Sequence, residues 1–463
     1  MKNVVENVPL NATLGAGGDP PSGAVGATES GVDSEALIYQ SGFANELASE
    51  ALPGALPAGQ TSPQRPPYGL YTEGLTGTSF TAPRQDNRRT WVYRIRPSVI
   101  TGAFRQIDSG LIRTAPLLSA WSPNPLRWQP FPIPDVPTDF IDGLVTLAAN
   151  GDPATRVGMA VHMYMANRSM TERAFTNLDG EMLIVPQQGT LRITTELGIL
   201  RVKPTEIVVI PKGMRFKVEL PEGASRGYVC ENYGHALRLP ELGPIGSHGL
   251  GNARDFNAPV AAFDPAHARH QVICKASGCL WAAHMDHSPF DVVAWQGNLV
   301  PYKYDLSKFM VVSSVSFDHA DPSIYTVLTA PSDTPGTANV DFVAFTPRWM
   351  VAEHTFRPPY FHRNVMSEFM GLISGRHEAK ADGFVSGGAS LHNPGVAHGP
   401  DTTTTRQAMA ADLTPQKFDH SYAFMFETSY PLRLTEFAMN SPLLDQDYAN
   451  CWQGIDPLFT GCP

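Results

Sequence analysis

The residues best suited to chemistry are histidines, and they are unevenly spread. Of 14 histidines, His319, His354, His362, His377, His392, His398 and His420 share one stretch of the second half. Two imidazoles and one carboxylate on one face of a metal leave positions open for a substrate and dioxygen, the arrangement of non-haem iron(II) oxygenases. His362, Glu368 and His398 are the set that could make it. Their spacing constrains the backbone. On one straight strand, the step from His362 to Glu368 is roughly 20 Å, too far to share an ion. On a helix it is about 240° of rotation, which leaves the two side chains mostly opposed. Both can reach one metal only if the chain turns between them. Arg363–Asn364 offers turn chemistry, a strand-like SEFMGLI follows, and Pro394–Gly395 supplies a bend before His398.

The other histidines have plainer readings. His284 and His287, in HMDH, would face opposite sides of a strand and have no evident third ligand. His162, within the strand-like VHMYM, reads as a hydrogen-bonded core residue, and His267 and His270 as surface loop residues.

The elements that must position the triad are β-strands. Gly (40) and Pro (41) are plentiful in 463 residues, which favours many short strands over long helices. Residues 1–37 are rich in Gly, Ala, Pro, Ser and Asn and read as a disordered tail. A first β-rich domain is expected over 38–305, with strands at Glu181–Val185, Leu191–Thr195 and Glu206–Ile210 punctuated by Gly189, Gly198, Pro204 and Gly213. A second, carrying the metal, is expected over 306–463. Its strands are expected at Phe309–Phe317, Ile324–Leu328, Val340–Phe345 and Phe369–Ile373, with a short helix or two after Glu436. Short strands at about ten-residue spacing suggest sandwiches or barrels.

Composition narrows the class. Apolar residues make up 42% and charged ones 17%, an ordinary globular balance, with a net charge of −10 and no basic block to bind nucleic acid. The five cysteines, Cys230, Cys274, Cys279, Cys451 and Cys462, form no CxxC pair and read as free thiols in a reducing compartment. No stretch approaches the roughly 18 apolar residues of a membrane span. The N-terminus carries one early lysine, Lys2, and no apolar core of a secretory leader, so a cytoplasmic protein is expected.

Two further patterns concern the fold. The run His362-x-Asn364, then Glu368 and Gly375, resembles the first cupin motif, with Asn364 at the motif's second histidine. Gly388, Pro394 and His398 resemble the second motif, with one residue fewer before the histidine. TEIVVIPKGMRF (205–216) resembles a second motif too, with Phe216 in the ligand position, so the first domain is expected to be cupin-like and metal-free. Cupins are double-sheet jelly rolls.

Longer runs resemble one family. SGFANE (41–46), RGYVCENYG (226–234), LGPIGSHGL (242–250), PYKYDL (301–306), SFDHADPSIYTVLTA (316–330), RPPYFHRNVMSEFMGLI (357–373) and HGPD (398–401) are all similar to homogentisate 1,2-dioxygenases. The resemblance implies an Fe(II)-dependent, ring-cleaving dioxygenase. It would convert homogentisate and O2 to maleylacetoacetate in tyrosine and phenylalanine catabolism, as a homohexamer of paired trimers. It further implies His362, Glu368 and His398 as iron ligands, His319 as the acid/base beside the substrate, and His398 and His392 near the bound ring, His392 either touching the substrate or hydrogen-bonded to a metal ligand. His377 stands where the family usually has a substrate-binding tyrosine, and Gln296 where the WHGN motif has histidine. A gentisate-like or methoxylated hydroquinone is therefore an alternative substrate. A zinc-dependent sugar isomerase and a non-enzymatic binding or storage protein are two further readings; Asn364 opposes the first, and the triad with His319 opposes the second.

Overall fold

The computed structural model describes residues 36–312 and 316–461, so residues 1–35 of the expected tail and Cys462 lie outside the described residues. Two apolar runs reveal the layering. In the strand Glu181–Gln188, Met182 and Ile184 enter one hydrophobic core while Leu183 and Val185 enter another. In Glu206–Ile210, Val208 and Ile210 face the first core and Ile207 and Val209 the second. A strand buried on both faces must be apolar at every position, which is why these segments read as unbroken runs. Leu191–Thr195 has one buried face: Leu191 and Ile193 point inward, while Arg192 pairs with Glu219 at 2.5 Å. Its sequence alternates accordingly.

Three β layers result. The middle one is a nine-stranded sheet that includes Leu144–Asp152, Val157–Ala166, Glu181–Gln188, Glu206–Ile210 and Ser225–Asn232. On one side lies a seven-stranded sheet whose only parallel pairing joins Arg173–Asn177 to His270–Ala276. On the other lies a six-stranded antiparallel sheet, ordered Thr326–Pro331, Ala338–Phe345, Tyr422–Thr428, Ser367–Ser374, Ala389–His392 and Leu126–Trp128. The fold is thus mainly β, with short helices. The strand orders are linear, so the described sheets are open and do not close into barrels. The two β-rich stretches also exchange strands. Leu126–Trp128 pairs with Ala389–His392, and Arg433–Leu434 pairs with Leu144–Asp152.

Two segments differ from the sequence expectation. Leu306–Lys308 is a 3-10 turn, after which Met310 makes only a bridge to Leu250; residues 313–315 of the expected Phe309–Phe317 strand lie outside the described residues. Pro322–Tyr325 is also a 3-10 turn, because Asp321 accepts a hydrogen bond from the Ser323 amide and Pro322 suits the first turn, so the strand starts at Thr326. Thr402–Ala410 is an α-helix, capped by Asp401 through the Thr404 amide at 2.7 Å. Among the described residues no helix is long and apolar enough to cross a membrane.

Phe426 is fully buried, with ring centroids 4.9 Å from Phe424, 6.0 Å from Phe342 and 6.2 Å from Phe369. Phe426→Ala is expected to cost about 3–5 kcal/mol, read as a lower chemical-unfolding midpoint. The exposed Phe80 serves as control: Phe80→Ala is expected to move stability by no more than about 0.5 kcal/mol. Similar losses for both would contradict this packing.

Candidate metal centre

The six-stranded sheet has one dry face and one open face. Phe342, Ala344, Phe369, Phe424, Phe426 and Leu391 point into the core, so their neighbours along each strand point the other way. Those neighbours, Asp341, Val343, Glu368, Met370, Met425, Glu427, Ser390 and His392, line a cavity of about 620 Å³. Register places polar residues in one row across it: Asp341 opposite Glu427, Glu427 opposite Glu368, and Glu368 opposite His392.

His362 and His398 come from segments outside the sheet. They are fastened to each other by reciprocal backbone hydrogen bonds, His362 N to His398 O at 3.0 Å and His398 N to His362 O at 3.1 Å. The chain turns after His362, where the Asn364 carbonyl accepts from the Gly395 amide at 2.8 Å. Gly395 takes the left-handed conformation, φ +78°, that this bend requires. Gly399 is needed for a different reason, since a Cβ there would lie 2.6 Å from the Phe361 ring.

Ligand atoms of His362, Glu368 and His398 converge within 4.8 Å of one another. The tautomers follow from the outer contacts. Nδ1 of His362 lies 2.9 Å from Tyr360 O, and Nδ1 of His398 lies 2.9 Å from Val396 O. A carbonyl only accepts, so each Nδ1 carries a proton and each neutral ring turns its Nε2 lone pair inward. Nε2 of His398 is 3.0 Å from Glu368 Oε2, and Nε2 of His362 is 3.8 Å from Oε1. Lone pairs facing a carboxylate repel unless a cation lies among them. The site therefore calls for a metal ion or for protonated rings, and the donor set fits a metal with open positions. Burial would raise the Glu368 carboxyl, but His362 and His398 outweigh it and hold it well below the usual range. Glu368 in turn raises the His362 imidazole.

The surroundings include two residues not singled out from the sequence, Glu427 and Tyr448. Asn364 Nδ2 donates to Glu368 Oε1 at 3.0 Å and to Glu427 Oε1 at 2.6 Å. Burial, opposed by the Asn364 hydrogen bond and reinforced by Glu368 and Asp341, pushes Glu427 up to about 7. A glutamate within the otherwise apolar YAFMFET was the available signal for it. His392 stacks on His398, with centroids 4.0 Å apart and planes 4° apart, and its Nε2 lies 3.1 Å from the Tyr448 hydroxyl. Burial, then the charge of His398, holds His392 well below its ordinary value.

His319 and His377 also line the cavity. His319 Nε2 is 2.6 Å from Phe356 O, and its ring lies 6.0 Å from that of Tyr360, which in turn lies 5.9 Å from His362. His377 sits edge-on to Phe345 and Phe384, and its Nδ1 accepts from the Ala379 amide at 3.2 Å. Burial, then Lys380 and Arg348, pushes His377 down to about 3, so the ring is neutral and its proton sits on Nε2. Lys380 itself is lowered to about 8 by burial. Gln296 does not line the cavity; its Nε2 donates to Tyr93 OH at 2.8 Å within another sheet.

The remaining histidines stand apart. His162 is buried between Thr146 Oγ1 and Glu231 Oε2, both 2.9 Å away. His284 is exposed on the strand Cys279–Met285, and His287 is buried just beyond its end. His267 is exposed, but His270 is buried at the start of its strand, unlike the surface loop expected for it. Phe216, in the ligand position of the first domain's motif, packs edge-on against Phe175.

Family models described as homogentisate 1,2-dioxygenase N-terminal and C-terminal match residues 38–306 and 307–459. Among solved structures, the chain is similar to a cupin-2 domain protein from Shewanella frigidimarina (19% identity, 16% of this chain and 70% of that one, TM-score 0.15). It is also similar to protein Ylba from E. coli (7% identity, 68% and 95%, TM-score 0.29). A cupin 2 conserved barrel domain protein from Leptotrichia buccalis matches at 8% identity (64% and 91%, TM-score 0.24). At such scores none of them bears on the reaction.

The depressed His377 predicts an acid sensitivity. The unfolded chain binds a proton near pH 6.5 that the folded chain refuses until about pH 3. This contribution to stability is therefore intact above about pH 6.5 and shrinks as pH falls from there. In metal-free protein, the unfolding midpoint of His377→Phe is expected to drop less between about pH 6.5 and 4.5 than that of the wild type. Parallel pH profiles would mean that the ring is solvated.

Proposed function

Because the chain belongs to the homogentisate 1,2-dioxygenase family, we propose that it is an iron(II) enzyme. It opens the ring of homogentisate with O2, placing both oxygen atoms in maleylacetoacetate, in tyrosine and phenylalanine catabolism. One observation carries this reading: the two inward Nε2 lone pairs and the Glu368 carboxylate meet in a cavity that also holds His319. His362, Glu368 and His398 would hold the iron. Bound there, iron(II) supplies the path by which electron density passes from the aromatic ring to oxygen.

The chain's own residues do the rest. With Nε2–H donated to Phe356 O, His319 has Nδ1 left as the atom that takes the phenolic proton. Loss of that proton makes the ring electron-rich. His398 lies beside the ring as well as on the metal, and His392 supports it from behind by stacking. His377 offers Nε2–H to the substrate's carboxylate or phenol. Ile324, Tyr325, Phe345 and Phe384 on the lining exclude water from part of the cavity. We further read 306–463 as the catalytic half, 38–305 as its partner, and the assembly as a homohexamer, on family membership.

A second reading keeps the chemistry and changes the substrate. A neutral, shorter histidine at 377 leaves room, among apolar neighbours, that a tyrosine would fill. That favours a more substituted hydroquinone, such as a methoxylated or gentisate-like one.

The test is oxygen uptake by protein purified without oxygen and loaded with iron(II). Uptake with homogentisate is expected, together with maleylacetoacetate absorbance, and both should vanish in His362→Ala and Glu368→Ala. His319→Gln should keep its iron and lose about 10²–10⁴-fold in kcat. Uptake only with another hydroquinone, with His377→Tyr restoring homogentisate, would establish the second reading. No uptake with any hydroquinone by iron-loaded protein would overturn both.

A further inference from the structure

We infer that Asn364 is a positioning residue that ties down one oxygen of Glu368, and that buried Glu427 holds Asn364 in place to do so. The inference rests on the metal reading above and concerns how the carboxylate ligand is presented.

Asn364 stands where the cupin motif has its second histidine, a position that would otherwise supply a third imidazole. Its side chain has taken a different role. Nδ2 spans two carboxylates, Glu368 Oε1 at 3.0 Å and Glu427 Oε1 at 2.6 Å, while Oδ1 accepts from the Met366 amide at 3.0 Å. These contacts fix the amide's orientation. Turned over, it would set its oxygen against two carboxylates and its NH2 against an N–H. The main chain is held as well, by Gly395 N on the Asn364 carbonyl at 2.8 Å.

The two glutamates need this bridge. They are direct cross-strand partners, and like groups directly opposite each other destabilise a sheet. One NH2 has two protons, one for each carboxylate. Once Glu368 Oε1 is committed to Asn364, Oε2 remains, the oxygen 3.0 Å from His398 Nε2. The carboxylate thus presents one oxygen to a metal instead of two. One more position stays open on the ion, which a centre that must take both an aromatic substrate and dioxygen requires. Outer partners of this type typically contribute about 10–100-fold to metal affinity.

The experiment titrates iron(II) anaerobically into the full-length protein and variants, with circular dichroism to confirm folding. Asn364→Ala and Asn364→Asp are expected to bind iron(II) about 10–100-fold more weakly. Loaded with cobalt(II), Asn364→Ala should show shifted and weaker visible bands, as a second carboxylate oxygen enters the coordination sphere. Glu427→Gln keeps an oxygen for Asn364 and should restore most of the affinity that Glu427→Leu loses. A purely structural role would lower thermal stability and leave both affinity and spectrum unmoved. Wild-type affinity and an unchanged cobalt spectrum in folded Asn364→Ala would overturn the inference while leaving the proposed function intact. If the Asn364 variants do not fold, the Glu427 pair decides: equal affinity in Glu427→Gln and Glu427→Leu overturns it. A wild type that binds no iron(II) overturns the proposed function and this inference together.

Discussion

Everything at the centre of this protein follows from one electrostatic constraint: a buried carboxylate faces two imidazole lone pairs. The Nδ1 protons of His362 and His398 are spent on carbonyls, so neither ring can turn its own N–H toward Glu368 without taking up a second proton. Such a cluster persists in a folded chain only if a metal ion joins it, a ring takes up a second proton, or the backbone holds it by force. The backbone does hold it. His362 and His398 are hydrogen-bonded to each other through their main chains, and Glu368 is fixed on a central strand. A site preorganised in this way would bind a metal without having to gather its ligands first.

The layered fold supplies the rigidity. The sheet that carries Glu368 rests on a core shared with the nine-stranded sheet, and its strands alternate between Phe or Leu inward and Glu, Met or His outward. A one-residue slip in any of these strands would bury Glu368 in the core and swing a phenylalanine into the cavity. The hydrophobic pattern therefore protects the register of the site. The exchanged strand Leu126–Trp128 extends the same sheet beside Ala389–His392, so the first half of the chain buttresses the edge nearest His392.

Much of this was legible in the sequence, for identifiable reasons. Leu191–Thr195 and Glu206–Ile210 were read with the bounds they have, because burial on one or two faces writes itself as alternation or as an unbroken run. The triad was legible because its residue types are few and a turn was demanded between His362 and Glu368. Less legible were features set by distant partners. Pro322–Tyr325 looks apolar enough for a strand, but a capped turn competes locally and wins. Thr402–Ala410 is rich in threonine, a poor helix former, and depends on the Asp401 cap. The pairing of Leu126–Trp128 with a strand over 250 residues away leaves no local mark. Asn364 was read as turn chemistry and as a missing ligand; its link to Glu427 depends on a strand pairing that only the folded sheet reveals.

The two departures from the family pattern are not equivalent. Gln296 bonds to Tyr93 in a sheet away from the cavity, so any influence on substrate choice would have to pass through the scaffold. His377 is on the cavity wall, between two phenylalanines and beside Lys380 and Arg348, and those cations help keep it neutral. Neutrality decides what it can recognise. A charged imidazole would attract any anion, whereas a neutral one with Nδ1 already satisfied presents a single directed N–H. In the proposed function the position would therefore select by shape and by one hydrogen bond, beside the positive charge of Lys380 and Arg348. On the proposed reading, substrate choice would be separable from the metal chemistry: it would reside on the segment that follows the Glu368 strand, while His362, Glu368 and His398 stay fixed by the strand and by the bridge between His362 and His398.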